Sequence, residues 1–382
     1  MRWLHLIPIY ALLLPLASVA SAQYIVPHGV INGTIPGDAF DNWGDGVPQA
    51  RAAIDSMMNG FYNGNKGMWQ PEIAWWLSGN ALQTLLDYMY ATNTSGYLGH
   101  AVHVVQEQIR PLGWWKEGEG YFRADSTDDT GWWALAMVRM YDLTGHDLYL
   151  DIAKLDEAYM YNYWDTNTCG GGLIWSIRDM VYKNAISNEL YFTLAAAIHN
   201  RIPGDEIYLN RAVEAWRWFN ATGMVNPQGL VNDGLNGDCR NNGQFVWTYN
   251  QGVIIGGLIE LFTATNDPNY ITKAVEMADA VLGSSLVVDR ILVERCESES
   301  SGCDYNQQAF KGIFARYLGQ LNKIIEGQPY KSHLRSWAKT VWDTNRNGSY
   351  YFGVRWEGPV IDKDVTVATQ ASAASLFIAA LE

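Results

Sequence analysis

The chain has 382 residues, with 40 acidic against 26 basic side chains for a net charge of −14, and it holds 17 Trp beside 22 Tyr. That negative surplus, with no Lys/Arg run to offset it locally, argues against binding to nucleic acid or to an anionic lipid surface. Charged residues make up only 17% of the chain, which suits a large buried core, yet so many Trp exceed what packing asks for; because sugars stack their C–H faces on indoles, a carbohydrate cleft is the expectation.

The first 22 residues read as a secretory signal. Arg2 and His5 give a weakly basic start, residues 6–16 an apolar core, and Ala20-Ser21-Ala22 a small-x-small cleavage site before Gln23. No later run reaches the roughly 18 apolar residues needed to span a bilayer, and the last apolar stretch, 371–381, ends in Glu382 without the spacer and tail of a GPI signal. The expectation is a soluble, exported monomer without a membrane anchor. Glycosylation sequons at Asn32, Asn93, Asn220 and Asn347 fit a secretory route.

Beyond the signal, one unit recurs: an apolar helical run, a short Thr/Asn/Gly/Asp loop, then Tyr-Leu or Tyr-Ile opening another helix. It begins at Tyr97, Tyr149, Tyr208 and Tyr270, at intervals of 52, 59 and 62 residues, and a degenerate copy follows at Tyr330 after another 60. A period near 60 holds two ordinary helices with one short and one long connection. The mature length of about 360 residues holds six such hairpins, which predicts an all-α (α/α)6 toroid with its cleft built from the long loops at one end. Periodicity alone leaves an open helical scaffold as the alternative. The alternating, Gly-flanked segment 347–356 predicts a short β-hairpin. No composition shift divides residues 23–382, which read as one domain.

The densest chemical signal is Arg123-Ala124-Asp125-Ser126-Thr127-Asp128-Asp129-Thr130-Gly131-Trp132-Trp133, running straight into an apolar helix. Such residues mark a helix start, with Ser126 or Asp128 as cap and Asp129 in a dipole-favoured first turn. One cap needs one side chain, however, and three carboxylates within five residues repel one another unless something uses them. Neighbouring residues can present carboxylates roughly 5 to 7 Å apart, which spans the separation of about 5 to 5.5 Å used by retaining glycosidases. Mutual repulsion also splits the two pKa values, leaving one group as nucleophile and the other as acid.

Further along, Cys169-Gly170-Gly171-Gly172-Leu173-Ile174-Trp175 brings bare backbone up to a Trp, or simply bends. Lys183-Asn184-Ala185-Ile186-Ser187-Asn188 opens a helix with amides one turn apart, where Asn188 is either a sugar ligand or a cap. Val231-Asn232-Asp233-Gly234 is a turn by composition. Trp247-Thr248-Tyr249-Asn250-Gln251-Gly252 groups phenol and amides ahead of an apolar helix. The four cysteines, in an oxidising compartment, predict two disulfides: Cys296 and Cys303 enclose a short loop and would pair, leaving Cys169 with Cys239, one of three connectivities that the sequence permits. Their spacing fits no zinc signature.

Taken in order, Asp128-Asp129 with Trp132-Trp133, the Cys169 to Trp175 segment, the Lys183 to Asn188 segment and Trp247 to Gly252 resemble glycoside hydrolase family 76, the endo-α-1,6-mannanases and their GPI-anchored fungal relatives. The likeness runs from about Asp38 to the C-terminus. It implies an (α/α)6 barrel and retaining hydrolysis of α-1,6-mannan or mannoprotein glycan, with neither metal nor organic cofactor. By this resemblance Asp128 is the nucleophile, Asp129 the acid/base, and Asp233 and Tyr249 hold sugar hydroxyls; Asn188, Trp132, Trp133 and Trp175 join them as candidate substrate contacts, although two adjacent Trp on one helix cannot both face a cleft. The four-Cys set resembles the fungal branch. The absence of a GPI signal and Thr130, where many wall-anchored members carry Gln, favour a freely secreted hydrolase, possible association with the cell wall notwithstanding. A transglycosidase using the same intermediate and a non-catalytic mannan-binding protein are the alternatives.

Overall fold

The computed structural model describes residues 46–72, 74–110 and 120–381, so the segment expected to be a secretory signal and the sequon at Asn32 lie outside the described residues. Helices α1 (Val47–Phe61), α3 (Leu98–Gln108), α5 (Asp147–Tyr161), α7 (Ile207–Ala221), α9 (Pro268–Leu282) and α11 (Lys331–Thr344) alternate along the chain with α2 (Trp75–Ala91), α4 (Thr127–Thr144), α6 (Ala185–His199), α8 (Thr248–Thr265), α10 (Phe310–Ile324) and α12 (Val367–Ala379). The even-numbered set closes on itself, each helix packing on the next and α12 returning to α2. This is the six-hairpin (α/α)6 toroid that the repeat predicts.

The two layers follow from how much of each helix is apolar. In α6 every residue from Ala185 to Ile198 is buried, and α12 is buried along its whole length, as expected of helices without a polar face. Outer helices bury a stripe: α9 buries Ile271, Ala274, Met277, Ala278 and Val281. Inner helices also approach closely. A Cβ on Gly312 of α10 would lie 2.3 Å from the Cα of Ser372 on α12, so only glycine permits that contact. The repeat tyrosines all fall at the starts of outer helices, with Tyr97 and Tyr330 in the cap positions of α3 and α11. Two of them tie one outer helix to the preceding one: the Tyr97 hydroxyl donates to Asp55 on α1, and that of Tyr330 to Asp279 on α9 at 3.0 Å.

Short loops follow the inner helices and long ones precede them, so the inner N-termini all face the end of the barrel where the long loops gather. Disulfides brace those loops. Cys169–Cys239 joins the loop before α6 to the loop before α8, and Cys296–Cys303 closes a turn ahead of α10.

Two-stranded ladders pair β1 (Tyr62–Asn63) with β2 (Met68–Trp69) and β3 (Val287–Val288) with β4 (Ile291–Leu292). The hairpin expected at 347–356 is instead a turn closed by a single bridge between Arg346 and Phe352. Its backbone is satisfied by side chains: Asn347 Oδ1 accepts from Ser349 and Tyr351, Asn345 exchanges bonds with Gly353, and Gln370 accepts from Phe352 while donating to Tyr350. Amides that are already partnered have no call for a strand neighbour. Among the described residues, no helix is long and apolar enough to cross a membrane.

Candidate active site

Asp128 and Asp129 occupy the first turn of α4. Ser126 stands in the cap position with extended backbone but does not cap the helix; its hydroxyl bonds to the aspartate pair instead. The loop after Cys169 is laced to this start. Thr127 N–H donates to the Trp175 carbonyl at 3.0 Å, Thr127 Oγ1 to the Ile174 carbonyl at 2.9 Å, and Ile177 N–H to the Asp125 carbonyl at 2.9 Å. This lacing delivers the Trp175 indole Nε1 to 3.0 Å from Asp128 Oδ1. The third carboxylate, Asp125, leaves the cluster by pairing with Arg178 at 2.6 Å, which is how three acids coexist in five residues.

Both remaining carboxyls sit partly open to the cleft but deep enough for desolvation to dominate. Burial pushes Asp128 up to about 6, against hydrogen bonds from first-turn amides, Ser126 and Trp175 that favour its ionised form. Asp129 is held well above the ordinary carboxylate value, first by burial and then by the negative charge of Asp128, with Asp125 adding to it and Ser126 and Arg110 opposing. The pair therefore divides: Asp128 gives up its proton first and Asp129 keeps its own.

Several loop contacts hold this geometry. Lys183 is 2% exposed and spends its ammonium on the carbonyls of Asp165, Thr168 and Gly171 at 2.8, 2.6 and 2.6 Å, with the Asp165 carboxylate at 3.1 Å. Gly171 and Gly172 of that loop make room for Trp218: a Cβ on Gly172, at φ +98°, would lie 2.3 Å from the indole. Asn188, expected to bind substrate or cap the helix, does neither. Its Oδ1 accepts from Leu173 N–H at 2.7 Å and its amide donates to the carbonyls of Leu173 and Asn184, so it staples the loop to α6. Asn184 is the cap, accepting from Ser187 N–H.

Asp233 accepts from the Tyr182 hydroxyl, which itself accepts from the Asn242 amide at 2.8 Å. Tyr249, in the first turn of α8, lies against the cleft with its phenol pushed well up by burial and then by Asp233, Asp128 and Glu189; it stays a neutral hydroxyl. Its ring stacks on Phe310 at 3.8 Å and on Trp132 at 6.4 Å, and Trp132 stacks on Trp76 at 5.2 Å. Four aromatics from α2, α4, α8 and α10 thus floor the barrel mouth. Trp132, 4% exposed, stacks on both Trp76 and Tyr249, and Trp133, fully buried, packs against Phe122 at 4.8 Å and Trp75 at 4.9 Å, which stack on each other at 6.1 Å. Neither is a free platform for a sugar, because each is needed to seal the layer under the site. Trp175, 39% exposed, is the indole left at the rim.

The structure thus brings Asp128, Asp129, Trp175, Asp233 and Tyr249 to one end and assigns Asn188, Trp132 and Trp133 to its support. Sequence reasoning passed over Tyr182, Trp76, Trp218 and Glu294. Glu294, buried, accepts from the N–H and hydroxyl of Thr248 and so fixes the residue before Tyr249; nothing in its local pattern announces this. A cavity of about 230 Å³ opens at the opposite end, lined by Asp87, Arg139, Arg201, Glu260 and Arg316 among others. Its charges are already paired with one another, so the chemistry does not reside there. Asn93 and Asn220 are exposed, and the Asn347 side chain is engaged in its own turn.

The family model described as glycosyl hydrolase family 76 matches residues 47–382. The chain is 26% identical over 298 residues to the mannan endo-1,6-alpha-mannosidase DCW1 of Candida albicans, covering 72% of this chain and 64% of that one. It is 28% identical over 303 residues to the mannan endo-1,6-alpha-mannosidase DFG5 of Saccharomyces cerevisiae, with 72% and 63% covered, so it spans just under two thirds of these relatives. The structure of Dfg5 from Chaetomium thermophilum, in complex with glucosamine, is similar with a TM-score of 0.78 at 21% identity, over 90% of this chain and 91% of that one. The GH76A α-1,6-mannanase of Salegentibacter sp. HEL1_6 gives 0.77 at 24%, over 88% and 100%. An inactive variant of that enzyme, with two consecutive aspartates changed to asparagine and α-1,6-mannotriose bound, gives 0.77 at 23%, over 88% and 99%.

Proposed function

Because this chain belongs to glycosyl hydrolase family 76, we propose that it is an exported, endo-acting α-1,6-mannosidase that cleaves mannan with retention of configuration. The observation that carries the reading is the adjacent Asp128–Asp129 pair with its protons unequally held. In this reading ionised Asp128 attacks the anomeric carbon while protonated Asp129 gives its proton to the leaving glycosidic oxygen. Water, deprotonated by Asp129, then breaks the glycosyl–Asp128 bond. The Trp175 N–H steadies the ionised nucleophile, and Asp233 and the neutral Tyr249 hydroxyl hold sugar hydroxyls. The Salegentibacter variant supports it, since that protein is inactive without two consecutive aspartates and binds α-1,6-mannotriose.

The test is the product series from unbranched α-1,6-mannan, followed through time by mass and anomeric configuration. Internal cleavage with retained α-anomers is expected. Inverted product, or turnover by folded Asp128→Asn at the parental rate, sinks the mechanism; tight binding without cleavage would leave a mannan-binding protein. The alternative outcome is capture of the same intermediate by a sugar hydroxyl. An added acceptor oligosaccharide decides between them, because a transferase extends it and a hydrolase does not.

A further inference from the structure

Between α6 and the first turn of α8 lies a group that this mechanism does not use. Glu189, on α6, is completely buried, and neither of its carboxyl oxygens has a hydrogen-bond partner among the described residues. Asn250 on α8 is 1% exposed with both amide atoms unpartnered. Two unpartnered polar side chains buried on facing helices call for an explanation.

Helix geometry places them at one level. Thr193 Oγ1 on α6 lies 3.4 Å from the Val253 carbonyl on α8. The two helices run parallel, so stepping back one turn, about 5.4 Å, brings Glu189 on α6 level with Tyr249 and Asn250 on α8. The electrostatics agree with that placement. The Asp233 charge acts on Glu189, and the Glu189 charge acts on Tyr249.

We propose that Glu189 is a positioning residue for Asp233 and Tyr249, acting through a hydrogen-bonded network of buried water that its carboxyl shares with the Asn250 amide. The proposal rests on the reading of Asp233 and Tyr249 as sugar-holding groups. Burial and the negative field of Asp233 both oppose ionisation of Glu189, so the carboxyl works as a neutral acid that can both donate and accept. Buried water commonly bridges about three otherwise unpartnered polar groups, and these side chains supply donors and acceptors in that number. The network pins the first turn of α8 from the side of α6, and with it the Tyr249 hydroxyl. Glu189 itself touches no substrate.

The test uses the full chain with α-1,6-mannotetraose as substrate. Glu189→Leu removes the carboxyl and leaves the Asn250 amide without its share of the network, so any packing or folding role shows as a lower melting temperature in a thermal scan. A merely structural residue would leave KM untouched. The proposal expects a KM about tenfold above the parent with kcat changed far less, while Glu189→Gln, neutral and hydrogen-bonding, keeps the parental KM. Parental KM in Glu189→Leu, or a tenfold rise in Glu189→Gln, overturns it. Asn250→Leu is an independent arm, with the same rise expected and a parental KM counting against the network. A raised KM in Asp233→Asn beside a parental one in Glu189→Leu removes only the Glu189 role. Absence of turnover in the parent, or parental KM in both Asp233→Asn and Tyr249→Phe, removes the functional reading and this proposal with it.

Discussion

Trp175→Phe isolates one hydrogen bond of the proposed nucleophile. The backbone at this position is held independently of the side chain, by Thr127 N–H on its carbonyl at 3.0 Å and by its own N–H on the Tyr182 carbonyl at 2.8 Å. Phenylalanine keeps the aromatic contact with Tyr182, which is edge-on at 6.2 Å, and removes only the indole donor 3.0 Å from Asp128 Oδ1. A hydrogen bond to a charged group contributes about 1.5 to 3 kcal/mol net. Trp175 is 39% exposed, so water takes over part of the donation, and about 1 kcal/mol is the realistic loss.

That bond favours the ionised form, so removing it raises the Asp128 pKa from about 6 by roughly 0.7 unit. The nucleophile must be ionised to attack. The acid limb of kcat/KM on an α-1,6-mannan oligosaccharide therefore moves to higher pH by that amount, and the defect, about fivefold below the limb, shrinks towards parity near pH 8. An acid limb that stays in place in folded Trp175→Phe, or a shift confined to the alkaline limb, would refute the assignment of Asp128 as the group that ionises first.

Asp129→Asn lowers kcat about 10² to 10⁴-fold and erases the alkaline limb of the pH profile, as loss of a general acid should; steady-state kinetics across pH shows both. Gly172→Ala forces a Cβ to 2.3 Å from Trp218 at φ +98°, which costs roughly 2 to 4 kcal/mol and lowers the melting temperature by several degrees in a thermal scan. Stability falls as pH rises from about 5 to 8: Asp128, Asp156 and Glu294 are raised to about 6, 7 and 8 in the folded chain, so the native state binds more protons than the unfolded state in that window. Each group contributes up to about 1.4 kcal/mol per pH unit, and melting curves with a flat or rising trend there would contradict it.

The architecture was legible because it repeats. Tyr97, Tyr149, Tyr208, Tyr270 and Tyr330 recur at intervals near 60 because each sits at or within the first turn of an outer helix, and a closed ring repeats its packing problem six times. The aspartate pair was legible because it breaks a local rule, placing more charge at a helix start than a cap requires. What escaped is long-range. Asn188 was read as a ligand because amide chemistry suits sugars, but its neighbour in space, Leu173, lies 15 residues away in a loop that no periodicity positions. Trp132 and Trp133 were read as platforms by type, whereas the partners that cover them come from α2, α8 and the segment before α4. Glu189 left no local trace, since within α6 it is one more residue on a helix buried all round.

The two ends of the barrel handle charge in opposite ways. Because the inner helices run parallel, their N-termini converge on the cleft, where a helix dipole favours a first-turn carboxylate by about 0.3 to 1 kcal/mol, rarely about 2. Asp128 nevertheless rises from 3.8 to about 6, about 3 kcal/mol against ionisation, so desolvation exceeds the dipole and the hydrogen bonds together. At the other end Glu260, Arg201, Asp142, Arg139, Asp87 and Arg316 alternate in an unbroken chain with successive contacts of 3.4, 2.8, 3.4, 2.9 and 3.1 Å. Those residues lie on α8, just past α6, on α4, on α2 and on α10, so the chain links five of the six inner helices near their negative ends, where cations are favoured. Six charges there answer one another and are chemically silent. The cleft end uses the same residue types with their charge only partly offset, Arg110 acting on Asp129 against burial and the Asp128 charge, and a carboxyl neither fully countered nor fully hydrated is left with a proton to exchange near neutral pH. Placing a cation there should therefore disable the pair without removing it. Thr130→Arg, at a fully buried position next to Asp129, is too disruptive for that purpose, whereas Ser126→Lys, in the half-open cap position beside both carboxyls, would pull both pKa values down. The result expected is a folded protein whose alkaline limb collapses to lower pH; an unchanged alkaline limb would mean that Asp129 does not hold the proton that the reaction uses.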